Sequence, residues 1–224
     1  MRKWGFIVTL VYALIVLVLF VPIAVSLAEG SSPFSPDFYK TMREVCSWWG
    51  MWMPVAVVLA GQAILLFLSV DTSFKRLKPR SHIAVSTIVA SMLFALLTFA
   101  CLSSVGAAVY SDKFLDRYWA STTEALCICG ILWVLWGILF YLYARKSTNA
   151  VTSAVSWLLK GSVLELLVAV PCHVIVRRRG DCSAPAATSF GIVTGIAVML
   201  LSFGPSVLLL YKKRMDAYAS RNHK

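Results

Sequence analysis

The chain has 224 residues, a net charge of +11, and 14% charged against 59% hydrophobic side chains. A water-soluble domain carries about 25% charged residues, so this composition cannot cover a water-facing surface, and a bilayer is the expected solvent. Nucleic acid is excluded as an expected partner. No DNA- or RNA-binding motif is present, and the basic residues stand in short clusters between apolar runs.

Six apolar runs follow in chain order. The first, Gly5–Leu27, comes after a basic start at Arg2 and Lys3 and closes on small residues at Ser26–Ala28. It has the outline of a signal peptide, but its apolar stretch exceeds the usual length of about 7–15 residues. It is read as an uncleaved anchor. The second run is Trp48–Val70. The third, Ile83–Val109, ends in the small residues Ser103–Ala108. The fourth, Thr122–Tyr143, carries Trp133 and Trp136 one turn apart, a pair read as packing or lipid-facing. The fifth is Val151–Val176. The sixth, Ala184–Leu210, contains Gly191-x-x-x-Gly195, a spacing that lets two helices approach closely. Pro205 is expected to bend the far half of this run.

A membrane-spanning helix needs about 20 apolar residues. Backbone groups in lipid must pair within their own segment, so each run is expected to be a helix. Barrel strands would alternate over about 10 residues, and nothing here alternates. The fold expected is therefore all-α: a polytopic integral membrane protein of six transmembrane helices over residues 1–224, one bundle with no soluble domain.

Charge sets the orientation. With the N-terminus inside, the cytoplasmic segments hold 13 basic residues against Asp71 and Asp216. The outer segments hold seven basic residues against seven acids, and Lys160 and Glu165 lie within the fifth run. The whole excess of +11 then falls on one side, as retention of basic residues in the cytoplasm requires. Both termini are expected to be cytoplasmic, in a bacterial inner (plasma) membrane. Trp48, Trp49, Trp52, Tyr110, Tyr118 and Trp119 flank the outer ends, and Trp4, Tyr141, Tyr143 and Tyr211 the inner ends, as an interfacial aromatic belt does.

This topology puts all six cysteines in the outer half, on the side where disulfides persist. A Cys172–Cys182 bridge would close the last outer loop. Cys101, Cys127 and Cys129 are also readable as small core residues. Cys127 and Cys129 point about 200° apart on a helix, so they do not readily share a metal or bond each other.

Chemistry concentrates in one stretch, ELLVAVPCHVIVRRRGDC, from Glu165 to Cys182. An acid in the middle of an apolar span is costly and normally faces other helices, a partner or a wet cavity. Glu165, Ala169, Cys172 and Val176 fall on one helical stripe, His173 is one step around, and Pro171 removes the donor for the Leu167 carbonyl. A kink there would open a pocket below Cys182. Acid, thiolate and imidazole suit a transition metal such as zinc or copper, so Glu165, Cys172, His173 and Cys182 form one hypothetical metal or redox site. The alternative reading makes Glu165 the coupling acid of a transporter or channel. Arg177, Arg178 and Arg179 are then an anion mouth, or contacts to lipid phosphates. A third reading makes the stretch the docking face of a non-catalytic subunit, for a homo-oligomer or a larger membrane complex. No P-loop, nucleophile elbow, HExxH or dinucleotide fingerprint is present, and whether the chain is an enzyme stays open. After mild reduction, a membrane-impermeant thiol reagent applied to the outer face should label Cys182; labelling only from the cytosol would overturn this topology.

Overall fold

The computed structural model describes residues 9–19, 39–40, 43–44, 47, 49–71, 80–110, 122–144, 150–181 and 184–202. Six apolar helices account for most of these residues, and no strand occurs among them. They are α1 (Thr9–Leu19), α2 (Trp49–Asp71), α3 (Arg80–Tyr110), α4 (Thr122–Ala144), α5 (Ala150–Arg179) and α6 (Ala184–Ser202). Each coincides in order with one apolar run of the sequence.

Four of them contain stretches long and apolar enough to cross a membrane: Ala84–Tyr110, Thr123–Tyr143, Ser153–Arg179 and Ala184–Ser202. The apolar stretches Thr9–Leu19 and Trp52–Leu65 are shorter. Pro205, the far half of the sixth run and the basic residues near both termini lie outside the described residues. So do Cys46 and Cys182.

Several hydroxyl residues inside these apolar helices bond back to their own backbone. Thr98, Ser103 and Ser104 donate to the carbonyls of Phe94, Phe99 and Ala100 at 2.8, 2.8 and 2.9 Å. Bonding back along the helix lets a hydroxyl sit in an apolar setting without leaving a donor unpaired.

α3, α5 and α6 form the centre. Gly161 of α5 lies beside the Phe94 ring of α3, and Ala107, Ala108 and Val176 share one buried cluster, so α3 and α5 run parallel. α6 runs the opposite way: Gly195 meets Glu165 and Leu166, while Gly191 meets Ala169. Leu93, Phe94, Leu97, Leu158, Val198 and Leu201 are among the bulky members of the main apolar cluster. α4 joins α3 through aromatic contacts, Phe94–Trp136 at 4.3 Å and Phe94–Phe140 at 5.5 Å between ring centroids. Trp136 Nε1 donates to Thr98 Oγ1 at 3.0 Å. Tyr12 of α1 donates its buried hydroxyl to the Ala197 carbonyl at 2.6 Å, which ties α1 to α6.

Only 6% of the apolar window of α4 is buried, against 78% of that of α6. α4 is therefore a peripheral helix with its apolar side chains turned outward, an arrangement tolerable in lipid and costly in water.

α5 continues through Pro171, as the fifth run does, and departs from the sequence expectation at its end, where it runs past Val176 to Arg179. Pro171 sits on an exposed face, so its missing N–H interrupts one bond away from the packed side that Ala169 and Val176 hold in place. The end is set by Gly180, whose φ is +74° and whose N–H donates to the Arg177 carbonyl at 3.3 Å. Left-handed backbone at the first residue past a helix suits glycine. The three arginines of the last turn complement the carbonyl end of the helix dipole. Gly180→Ala places a Cβ in this left-handed conformation at a cost of about 1 kcal/mol. The melting temperature in detergent should then fall by about 2–4 °C; Gly180→Asn should lose less.

Candidate functional site: an enclosed acid between three helices

Two stripes of the same spacing face each other across the α5–α6 contact. On α5 they are Glu165, Ala169, Cys172 and Val176; on α6, Gly195, Gly191, Thr188 and Ala184. Both advance by four, three and four residues, which keeps them on one helical face. In antiparallel register Glu165 meets Gly195 and Ala169 meets Gly191, while Cys172 and Val176 pack in one cluster with Ala184 and Ala187.

The two glycines make this approach possible. A Cβ added to Gly191 would overlap Ser104 Oγ and stand 3.2 Å from Ala169 Cβ and 3.3 Å from the Ala100 carbonyl oxygen. A Cβ added to Gly195 would stand 2.9 Å from Leu166 Cγ and 3.1 Å from Glu165 Oε2. The carboxyl therefore occupies the space that a side chain at position 195 would need.

Glu165 is 3% exposed, and neither carboxyl oxygen has a hydrogen-bond partner. Thr194 Oγ1, on the α6 residue next to Gly195, is also buried without one. Cys101 of α3 lies within electrostatic reach of Glu165 and of Cys172. α6 brings no titratable side chain to the contact. An ionised carboxylate here would be an uncompensated charge in an apolar interior, at a penalty of several kcal/mol. A bound proton removes that charge.

The two ends of the acid's surroundings differ. Toward the far end of α5, the side of Arg177–Arg179, stand the small or polar residues Ser104, Cys172 and Thr188, then the apolar cap of Ala107, Ala108, Val176, Ala184 and Ala187. Toward the start of α5 stand Phe94, Leu97, Leu158 and Val198.

His173 is half-buried, and its Nδ1 lies 2.8 Å from Thr188 Oγ1. The Thr188 hydroxyl donates to the Pro185 carbonyl at 3.1 Å.

The residues singled out in the sequence thus separate. Glu165 and Cys172 share the α5–α6 face, and His173 is held at its edge by Thr188. Arg177, Arg178 and Arg179 are exposed at the end of α5. Cys101, Cys127, Cys129 and Cys172 carry free thiols, and Cys182 lies outside the described residues. The expected Cys172–Cys182 closure therefore has no counterpart among them. No group of three or more His, Cys, Asp or Glu side chains is placed to hold a metal ion among the described residues.

Ser104, Cys101, Thr188 and Thr194 were not part of the sequence reading of the site. For Thr188 a signal existed: the run Ala184, Thr188, Gly191, Gly195 repeats the spacing of the Glu165 stripe. Nothing local marks Ser104 or Cys101, which reach the site from a helix about 60 residues earlier in the chain.

Comparison with protein-family models, with curated proteins and with solved structures finds no match. The class rests on the chain's own features: a helical bundle with four membrane-length apolar helices, consistent with an integral membrane protein. Gly191→Ala should destabilise the bundle by about 1–3 kcal/mol through overpacking, read as a lower melting temperature in detergent. Adding Ser104→Ala should recover part of that loss, because the overlapping hydroxyl is then gone.

Proposed function

We propose that the protein is a small six-span membrane transporter, with both termini cytoplasmic, in which Glu165 is the acid that takes up and releases a proton. The observation that carries this reading is a carboxyl 3% exposed with no partner for either oxygen, inside the contact of α3, α5 and α6. An ionisable group kept at such cost within a membrane bundle points to ion or proton movement.

The same burial weighs against a docking face. A carboxyl enclosed by its own bundle does not meet the charge of a lateral partner helix. A metal site built on Glu165, Cys172 and His173 would need these side chains to converge, and no such group of three converges among the described residues. The transport reading needs no residue beyond those described around Glu165.

The route is supported by the unequal surroundings of the acid. Ser104, Cys172, Thr188 and an alanine-rich cap separate it from the arginine end, whereas bulky aliphatic and aromatic side chains close the opposite end. Arg177–Arg179 then stand at the mouth of the shorter path, which the charge pattern assigns to the outer face.

The test uses the full chain in proteoliposomes carrying an internal pH indicator, with proton entry driven by a potassium diffusion potential. Glu165→Gln, nearly isosteric, should reduce proton flux to that of empty vesicles, and flux equal to the native protein would overturn the proposal. Infrared difference spectra should show a protonated carboxyl C=O band that vanishes in Glu165→Gln.

A further inference from the structure

A cation stands on the outward face of the bundle. Lys160 is exposed and belongs to the apolar window Ser153–Arg179 of α5. Its neighbours on the outward face, Trp157, Val163, Leu164 and Leu167, are exposed and apolar. An ammonium on a hydrocarbon-facing surface needs either a counter-ion or a path to the headgroups. The one acid of α5, Glu165, is enclosed inside the bundle, and the one acid of α4, Glu124, is in that helix's first turn. Neither helix therefore supplies a partner at this end.

The side chain has a fixed direction. Lys160 Nζ lies 5.7 Å from the centroid of the Trp157 ring. Trp157 is three residues earlier, so the stem runs back toward the start of α5. Cation–π contact of this kind orients an ammonium without neutralising it. Trp157 in turn meets Tyr143 edge to face, with centroids 5.9 Å apart and planes at 79°. Ser153 and Trp157 lie near the Tyr143 hydroxyl. Tyr143 is the last residue but one of α4, and Arg145 and Lys146 follow in the sequence. Aromatic rings with polar tips, at the point where one span ends and the next begins, mark the level of the headgroups.

We infer that Tyr143, Ser153, Trp157 and Lys160 form a binding site for the headgroup of an anionic phospholipid, at the seam where α4 ends and α5 begins. The phosphate pairs with the Lys160 ammonium, and the acyl chains lie along the exposed apolar wall that begins at Val163 and Leu164. That wall favours a lipid over a soluble phosphate, since a ligand here must cover hydrocarbon as well as charge. The site is separate from Glu165 and stands or falls without it.

The experiment measures quenching of tryptophan fluorescence in vesicles of brominated phosphatidylglycerol or brominated phosphatidylcholine, with Trp157→Phe used to isolate the Trp157 signal. The native chain should favour the anionic lipid at Trp157 by about fivefold, the effect of one lysine near a headgroup. Lys160→Gln should lose that preference and Lys160→Arg should keep it. Equal quenching by the two lipids in the native chain, or an unchanged preference in Lys160→Gln, would overturn the inference. So would competition by millimolar inorganic phosphate, which would show a site for the soluble anion instead.

Discussion

The bundle depends on how closely α6 can approach α3 and α5. Gly191 and Gly195 remove two side chains at the level where three helices meet, and Ala169, Ala100 and Ser104 complete the narrow contact. In lipid the hydrophobic effect gives no reason for helices to associate, so close van der Waals contact and hydrogen bonds between helices must do so. A bulky residue at either glycine would push α6 away, and the enclosure of Glu165 would open with it.

That approach creates a constraint of its own. Packing three helices tightly around a carboxyl leaves no room for a balancing side chain. Glu165 is therefore isolated by the same small residues that hold the helices together. The surrounding hydroxyls do not relieve it: Ser104 donates to its own helix, and Thr188 is committed to Pro185 and His173. A buried polar group left in this state lowers stability, and its cost in the centre of the bundle is what a proton-carrying role would account for.

The periphery follows a different logic. α4 contacts the bundle mainly through the Phe94, Trp136 and Phe140 rings and leaves most of its apolar surface turned outward. The two ends of α5 are also treated differently. The far end carries three arginines on a glycine-terminated helix, where they oppose the carbonyl dipole. The near end carries one lysine laid over an indole beside a tyrosine. Centre and rim thus treat charge in opposite ways, hidden in one and exposed in the other.

Apolar runs of sufficient length were legible from composition alone, because a helix is the form in which an apolar segment satisfies its own backbone in lipid. The spacing of Gly191 and Gly195 announced a close contact, and Glu165 stood out as an acid where charge is expensive. Helical periodicity also placed Cys172 and Val176 on its stripe. What faced that stripe was not legible. Ser104 and Cys101 come from α3, and Thr188 and Gly195 from α6; their meeting is decided by which helices pack together and in which direction, a property of pairs of segments that no single segment carries. The same holds for Pro171, where local chemistry leaves the Leu167 carbonyl without its usual donor while the opposite face of α5 stays packed. The sequence alone determined that the chain forms apolar helices and that one of them hides an acid; only the tertiary arrangement decided that the acid is enclosed and unpaired, because burial and pairing depend on neighbours distant along the chain.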